Sequence, residues 1–205
     1  MKKIDVFPLG MFQANCYLLW NDHHVLVVDP GSNGKKIQEY IDQNQGIVDG
    51  VFLTHGHFDH CAGVDAFVNK YHCPFYMNEL DKKMLEDIDY NFSKDFQPVV
   101  IKSKPIFIKP GEQKIGCFQV TCFDAPGHSE GSTLLLWDNN LISGDVLFEG
   151  SIGRCDLPGG SNTKMKQSLS FVKTLNPDLI VYPGHGPSTT LQDELLYNPY
   201  LKYDF

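Results

Sequence analysis

Between Val51 and Gly63 the chain reads V-F-L-T-H-G-H-F-D-H-C-A-G. An apolar run stops at Thr54, and His55, His57, Asp59 and His60 then crowd into six residues. So many metal-ligating groups at this density serve no packing purpose. In an extended segment, residues two apart point to the same side, so His55 and His57 converge on one point. Asp59 and His60 are adjacent where the chain turns into a helix, and they face a second point a few ångströms away. Any fold of this chain has to place that turn at a strand end and bring further ligands to it.

Three later turns offer them. His128 lies in A-P-G-H-S-E-G, Asp145 in L-I-S-G-D-V and His185 in Y-P-G-H-G-P, each at a strand end beside small residues. If both points are filled, His128 completes the first, His185 the second, and Asp145 bridges them. These seven ligands exceed what one closed structural site uses, and they include no cysteine. Two divalent ions about 3.5 Å apart share a hydroxide and clamp a substrate oxygen, which is hydrolytic machinery. Zinc is the first choice, with iron or manganese as alternatives. His23, His24 and His72 have no convergent partner in the sequence and read as solvated or capping residues. Cys61, next to His60, reads as a packing residue.

The surrounding pattern is mixed. Strands are predicted at 4–9, 16–20, 24–29, 48–53, 74–77, 105–109, 118–124, 133–137, 141–143 and 178–182. Helices follow with Ile37, Tyr40 and Ile41, then with Val64, Phe67 and Val68, over 79–88, after the cap Ser161 with Met165, Leu169 and Val172, and from Thr190 to the Asn198-Pro199 stop. Residues 89–100 have no period and read as a loop or flap. Two strand groups, each followed by helices, fit two packed sheets with helices outside.

Composition bounds the reading. A chain of 205 residues can bury a core without disulfides, and its six cysteines form no C-x-x-C pair, so reduced thiols are expected. The formal net charge of −8 disfavours nucleic acid. Lys102, Lys104, Lys109 and Lys114 read as a solvated face. Neither a secretory signal nor a membrane-spanning run is present, so a cytoplasmic protein acting on a small molecule is expected, with no nucleic-acid or membrane partner.

H-x-H-x-D-H, then P-G-H-S, S-G-D and P-G-H-G-P, in this order from Asn15-Cys16-Tyr17 to the C-terminal helix, resembles the metallo-β-lactamase superfamily. The resemblance implies an α/β fold, a four-layer αββα sandwich of two mixed β-sheets with helices on the outer faces, as one domain over 1–205. It implies two divalent metal ions: His55, His57 and His128 on the first, Asp59, His60 and His185 on the second, Asp145 between them. Asp59 and Asp145 are the expected catalytic carboxylates.

Within the superfamily the chain is similar to glyoxalase II-type thioesterases of the short bacterial kind. Gly150–Ser161, G-S-I-G-R-C-D-L-P-G-G-S, and the ending P-G-H-G-P-S-T-T carry that likeness. It implies hydrolysis of 2-hydroxyacyl thioesters such as S-lactoylglutathione by a hydroxide held between the metals. Asp145 stands where common zinc β-lactamases have cysteine, so β-lactams are not the expected substrate. The chain ends soon after His185, without the C-terminal helical domain that supplies basic residues for glutathione in longer relatives. Arg154, Tyr17 and Phe148 are candidate substrate residues. The alternatives are a persulfide dioxygenase with one iron on His55, His128 and Asp145, and a lactone hydrolase.

Overall fold

Alternation along Ala14–Asn21 sets the layering. Cys16, Leu18 and Trp20 face one way, into a core shared with Ile37, Ile41 and Phe67. Tyr17 and Leu19 face the other, into a core shared with Phe118, Leu135 and Ile142. A strand buried on both faces has to lie between two layers. The computed structural model, which describes residues 1–203, shows what those layers are.

The first sheet runs β1 (Lys2–Leu9), β2 (Ala14–Asn21), β3 (His24–Val28), β4 (Ile47–Phe52), β5 (Phe75–Asn78), β6 (Pro105–Ile108), in that order. The first two pairings are antiparallel and the last three parallel. Parallel pairing needs crossovers, and helices α1 (Lys35–Gln43), α2 (Phe58–Cys61) and α3 (Val64–Tyr71) lie in two of them.

The second sheet is also mixed, with one parallel pairing and four antiparallel ones. Its order is β12 (Thr189–Thr190), β11 (Ile180–Pro183), β10 (Asn140–Gly144), β9 (Thr133–Trp137), β8 (Phe118–Asp124), β7 (Gly111–Ile115). Its outer face packs Leu134, Leu141 and Val181 against Met165, Leu169 and Val172 of α4 (Asn162–Val172). Leu191 of α5 (Leu191–Tyr197) and Leu201 of α6 (Pro199–Lys202) close the same core. Two mixed sheets with helices outside are thus present, as expected. Among the described residues no helix is long and apolar enough to cross a membrane.

Several elements differ from the sequence pattern. The helix expected after the histidine cluster is broken at Gly63, where the chain passes so close to Ser32 that a Cβ would overlap its carbonyl oxygen. Val68 is half-buried, not core. The expected helix over 79–88 is a 3-10 turn over Glu79–Leu85, started by Asn78, whose side chain accepts from Leu80 N–H. Strand β7 carries no apolar alternation; of G-E-Q-K-I only Ile115 is buried, so sheet pairing with β8 alone defines it. Residues 89–100 are pinned coil, not a loose flap. Buried Asn91 donates to the Met84 and Val99 carbonyls at 2.8 and 2.9 Å, and its own carbonyl accepts from Phe58 N–H. Asn198-Pro199 ends α5 as expected but also starts α6, with Asn198 as its cap.

Candidate metal centre

Five strand ends meet at one edge of the sandwich. His55 follows β4, His128 follows β8, Asp145 follows β10, His185 follows β11, and Asp29 follows β3. The parallel register of β10 and β11 brings Asp145 and His185 side by side. Gly184 makes the approach possible, because a Cβ there would overlap Asp145 Oδ1 and crowd the His60 ring.

All seven sequence-predicted ligands converge. His55, His57 and His128 form one group of ligand atoms within 4.8 Å of one another, and Asp59, His60 and His185 form another. Asp145 lies between them. Its Oδ2 is 3.3 Å from His128 Nε2 and 3.6 Å from His185 Nε2, and its Oδ1 is 3.4 Å from His60 Nε2. His55, His57, His60 and His128 are buried, whereas the side chains of Asp59 and His185 are 18% and 28% exposed. The second group therefore faces the opening.

Four of the five rings are oriented by an acceptor at Nδ1. Thr54 Oγ1 lies 3.0 Å from His55, and this hydroxyl already donates to Asp29, so it accepts from the ring. Asp29 Oδ2 holds His60, the Arg154 carbonyl holds His128 at 2.8 Å, and the Phe12 carbonyl holds His185 at 3.0 Å. With Nδ1–H spent on these partners, Nε2 is the atom each ring turns to the shared centre. His57 differs: its Nδ1 faces His128 Nε2 at 2.8 Å.

The donor set fits metal ions. His55 Nε2 and Asp145 Oδ1 are buried and meet no hydrogen-bond partner. Buried polar atoms without partners are costly, and aimed at a common point they are what a cation satisfies. Burial, reinforced by neighbouring imidazoles, holds His55 and His57 well below the ordinary imidazole value, so both are neutral ligands. Burial opposes charge on His60 too, but Asp59, Asp145 and Asp29 outweigh it and raise the ring to about 10. Burial likewise disfavours the Asp59 anion, yet the charges of His60 and His185 hold it far below the usual carboxylate range.

Beneath the centre, Asp81 ties the ligand loops together. Its Oδ2 accepts from Gly56 N–H at 3.0 Å and Ser129 Oγ at 2.7 Å, and its Oδ1 accepts from Gly131 N–H at 2.7 Å. One carboxylate thus anchors the turn of His55 and His57 and the turn of His128. Sequence reading missed Asp81 and Asp29, since lone aspartates carry no pattern.

A cleft of about 260 Å³ opens over the centre. Phe12, Phe58, Phe92, Phe148 and Leu157 give it apolar walls, and Arg154 reaches its rim. Phe148 meets His185 edge-on at 6.0 Å. Arg154 is held by both oxygens of Asp156, at 2.7 and 2.8 Å. Tyr17 does not line the cleft; it is core, and its hydroxyl donates to the Pro183 carbonyl at 2.6 Å. Phe12, Phe58 and Phe92 went unnoticed in the sequence because Phe12 and Phe92 sit in turns without period and Phe58 opens a helix of only four residues. His24 also has a partner after all. Its Nδ1 is 2.7 Å from Asp49, which accepts from Cys117 N–H and ties the sheets far from the cleft.

Comparison with known proteins agrees with this geometry. The family model described as "Metallo-beta-lactamase superfamily" matches residues 9–185. A protein named probable metallo-hydrolase YqgX, from Bacillus subtilis, is 38% identical over 95% of both chains. Hydroxyacylglutathione hydrolase GloC from Haemophilus influenzae is 30% identical over 97% of both. The crystal structure of BLEG-1, a B3 metallo-β-lactamase, superposes with a TM-score of 0.93 at 34% identity, covering 98% of this chain and all (100%) of that one. That of TTHA1623 in a di-iron-bound form gives 0.84 at 34% identity, covering 96% of this chain and 100% of the other.

Proposed function

This chain belongs to the metallo-β-lactamase superfamily and has the site of a metallo-hydrolase, and from that premise we propose that it hydrolyses 2-hydroxyacyl thioesters, with S-lactoylglutathione as the reference substrate. His55, His57 and His128 would hold one divalent ion and Asp59, His60 and His185 a second, with Asp145 within reach of both groups. Imidazole and carboxylate donors suit zinc, iron and manganese alike. The observation that carries the reading is the reach of Asp145 into both triads, 3.3 Å to His128 and 3.4 Å to His60, beside an open apolar cleft. The likeness to a hydroxyacylglutathione hydrolase supports the substrate class.

When bound, the ions supply Lewis-acid polarisation of the carbonyl and a water acidic enough to react near neutral pH. The chain supplies position and protection. Asp29, Thr54 and the carbonyls of Phe12 and Arg154 fix four of the five imidazoles, so those rings need not reorganise during the reaction. Asp59, ionised and lining the cleft, turns Oδ2 to His60 and His185, which leaves its other carboxylate oxygen to accept a hydrogen bond from the attacking water and orient it toward the carbonyl carbon. Phe12, Phe58 and Phe148 keep bulk water from the acyl group. The departing thiolate is weakly basic, so no acid residue is needed beside it.

Hydrolysis assays with zinc-, manganese- and iron-loaded protein test this. S-lactoylglutathione, a lactone and a β-lactam are the substrates to compare; the last belongs there because one close structural neighbour is a β-lactamase. Turnover of the thioester well above the others is expected. Turnover of only the lactone or the β-lactam would replace the reading, as would oxygen uptake with glutathione persulfide by a form holding one iron.

A further inference from the structure

A second cavity adjoins the cleft. This groove of about 510 Å³ lies between the β1–β2 turn and residues 96–100, with Met11, Ser32, Asn33, Phe96, Gln97 and Val100 among its walls. It shares Phe58 with the cleft. Phe58 stacks on Phe96 at 5.3 Å, and Phe12 meets both rings edge-on at 5.7 and 5.2 Å. A three-ring ridge is therefore the border over which a ligand passes from one cavity to the other.

The chemistry of the two cavities differs. The cleft carries the titratable groups, whereas no charged residue lines the groove. Its polar groups are the neutral side chains of Ser32, Asn33 and Gln97, set among apolar walls. Arg154, the one lining cation of the cleft besides histidine, is already neutralised by Asp156. A thiol arm with free carboxylates would lose hydration here and find no cation among the groove's own walls; Lys35 and Lys36 line only the neighbouring pocket that shares Ser32 and Asn33. An uncharged arm would bury apolar surface on the ridge and use amides to hydrogen-bond the neutral side chains. Met11, Phe12, Phe96 and Val100 are 73%, 41%, 39% and 50% exposed, so the path to the groove is an open apolar strip joined to the reaction centre.

We propose that this groove is a binding subsite for the leaving group: a long, uncharged, amide-bearing thiol arm, with the acyl end in the cleft. The inference rests on the thioester reading and narrows it, because it ranks a thiol bearing two free carboxylates, such as glutathione, below an uncharged one.

The test separates binding from turnover. Binding of S-ethylpantetheine and S-ethylglutathione, neither of which can be hydrolysed, is measured by calorimetry on the metal-loaded full chain. The neutral ligand is expected to bind roughly tenfold tighter or better, and Val100→Glu or Met11→Glu to remove that preference. Both positions are exposed, so melting temperatures should hold. Equal affinities, or tighter binding of S-ethylglutathione, would overturn the subsite, as would a preference untouched by both variants. Hydrolysis of lactoyl thioesters of pantetheine and of N-acetylcysteamine, which is too short to reach the groove, is followed in parallel. A kcat/KM for the long arm at least about tenfold above the short one, lost in Val100→Glu, supports the subsite; equal values count against it. Loss of all thioester hydrolysis with the binding preference intact would sink the enzymatic reading alone.

Discussion

Asp29 Oδ2 lies 3.0 Å from His60 Nδ1, and the same carboxylate accepts from the Thr54 backbone N–H at 2.8 Å and from Thr54 Oγ1 at 2.6 Å. Through Thr54 it also orients His55. One buried aspartate therefore sets a ring in each triad without reaching either centre. Asp29→Asn keeps the shape but puts an amide N–H where an acceptor is needed. Affinity for both ions should fall roughly 10- to 100-fold. Titration against a competing chelator measures this; unchanged affinity at both sites would show that the rings are held by packing alone.

Gly184→Ala is expected to disable the centre while leaving the fold. The added Cβ overlaps Asp145 Oδ1 and presses on His60. Forced shifts of this kind cost about 1–3 kcal/mol, and the displaced carboxylate no longer spans both triads. Metal analysis should find fewer ions per chain, with circular dichroism unaltered. Full occupancy would mean that Asp145 has room to move.

Asp81→Ala removes three acceptor contacts from two ligand turns. Leaving Gly56 and Gly131 N–H groups buried and unpaired should cost about 3 kcal/mol. Denaturant unfolding of the metal-free protein measures it. A loss below about 1 kcal/mol would indicate that water takes over the contacts.

Binding of the two ions should differ in proton release. His55 and His57 are lowered by burial and already neutral, whereas His60, raised to about 10, holds its proton near neutrality in the metal-free protein, and His185 is shifted in the same direction. An ion at Asp59, His60 and His185 has to expel the His60 proton, so its affinity rises with pH, by up to about tenfold per unit for each proton. Calorimetry at pH 6 and 8 in buffers of different ionisation enthalpy reads the difference. Without metal the sign reverses for stability. The raised His60 stabilises the fold fully below its ordinary value of 6.5, and that contribution disappears as pH climbs through about 10.

Tyr17→Phe distinguishes a core role from a substrate role. Its hydroxyl meets the Pro183 carbonyl, two residues before His185. Removal should lower stability by about 1 kcal/mol and leave KM for the thioester unchanged. A large rise in KM at wild-type stability would return Tyr17 to the cleft.

The candidate metal-ligating residues were legible because their chemistry is rare in turns. Three histidines and an aspartate in T-H-G-H-F-D-H have no packing role, and period-two and period-3.6 patterns marked most of the buried elements around them. Strand β7 was illegible because G-E-Q-K-I is polar and gains its conformation from β8. The helix break at Gly63 depends on Ser32, a contact no local pattern records.

By itself, then, the sequence determined the layered fold and the seven candidate ligands, since both arise from residue types and short periods along the chain. Tertiary structure decided which partners hold those rings, that Tyr17 belongs to the core, and that Phe12, Phe58 and Phe92, from separate segments, join Phe148 in walling the cleft. Such relations join residues far apart in the chain, and burial and hydrogen bonding assign them only once the strands have brought their ends to one edge.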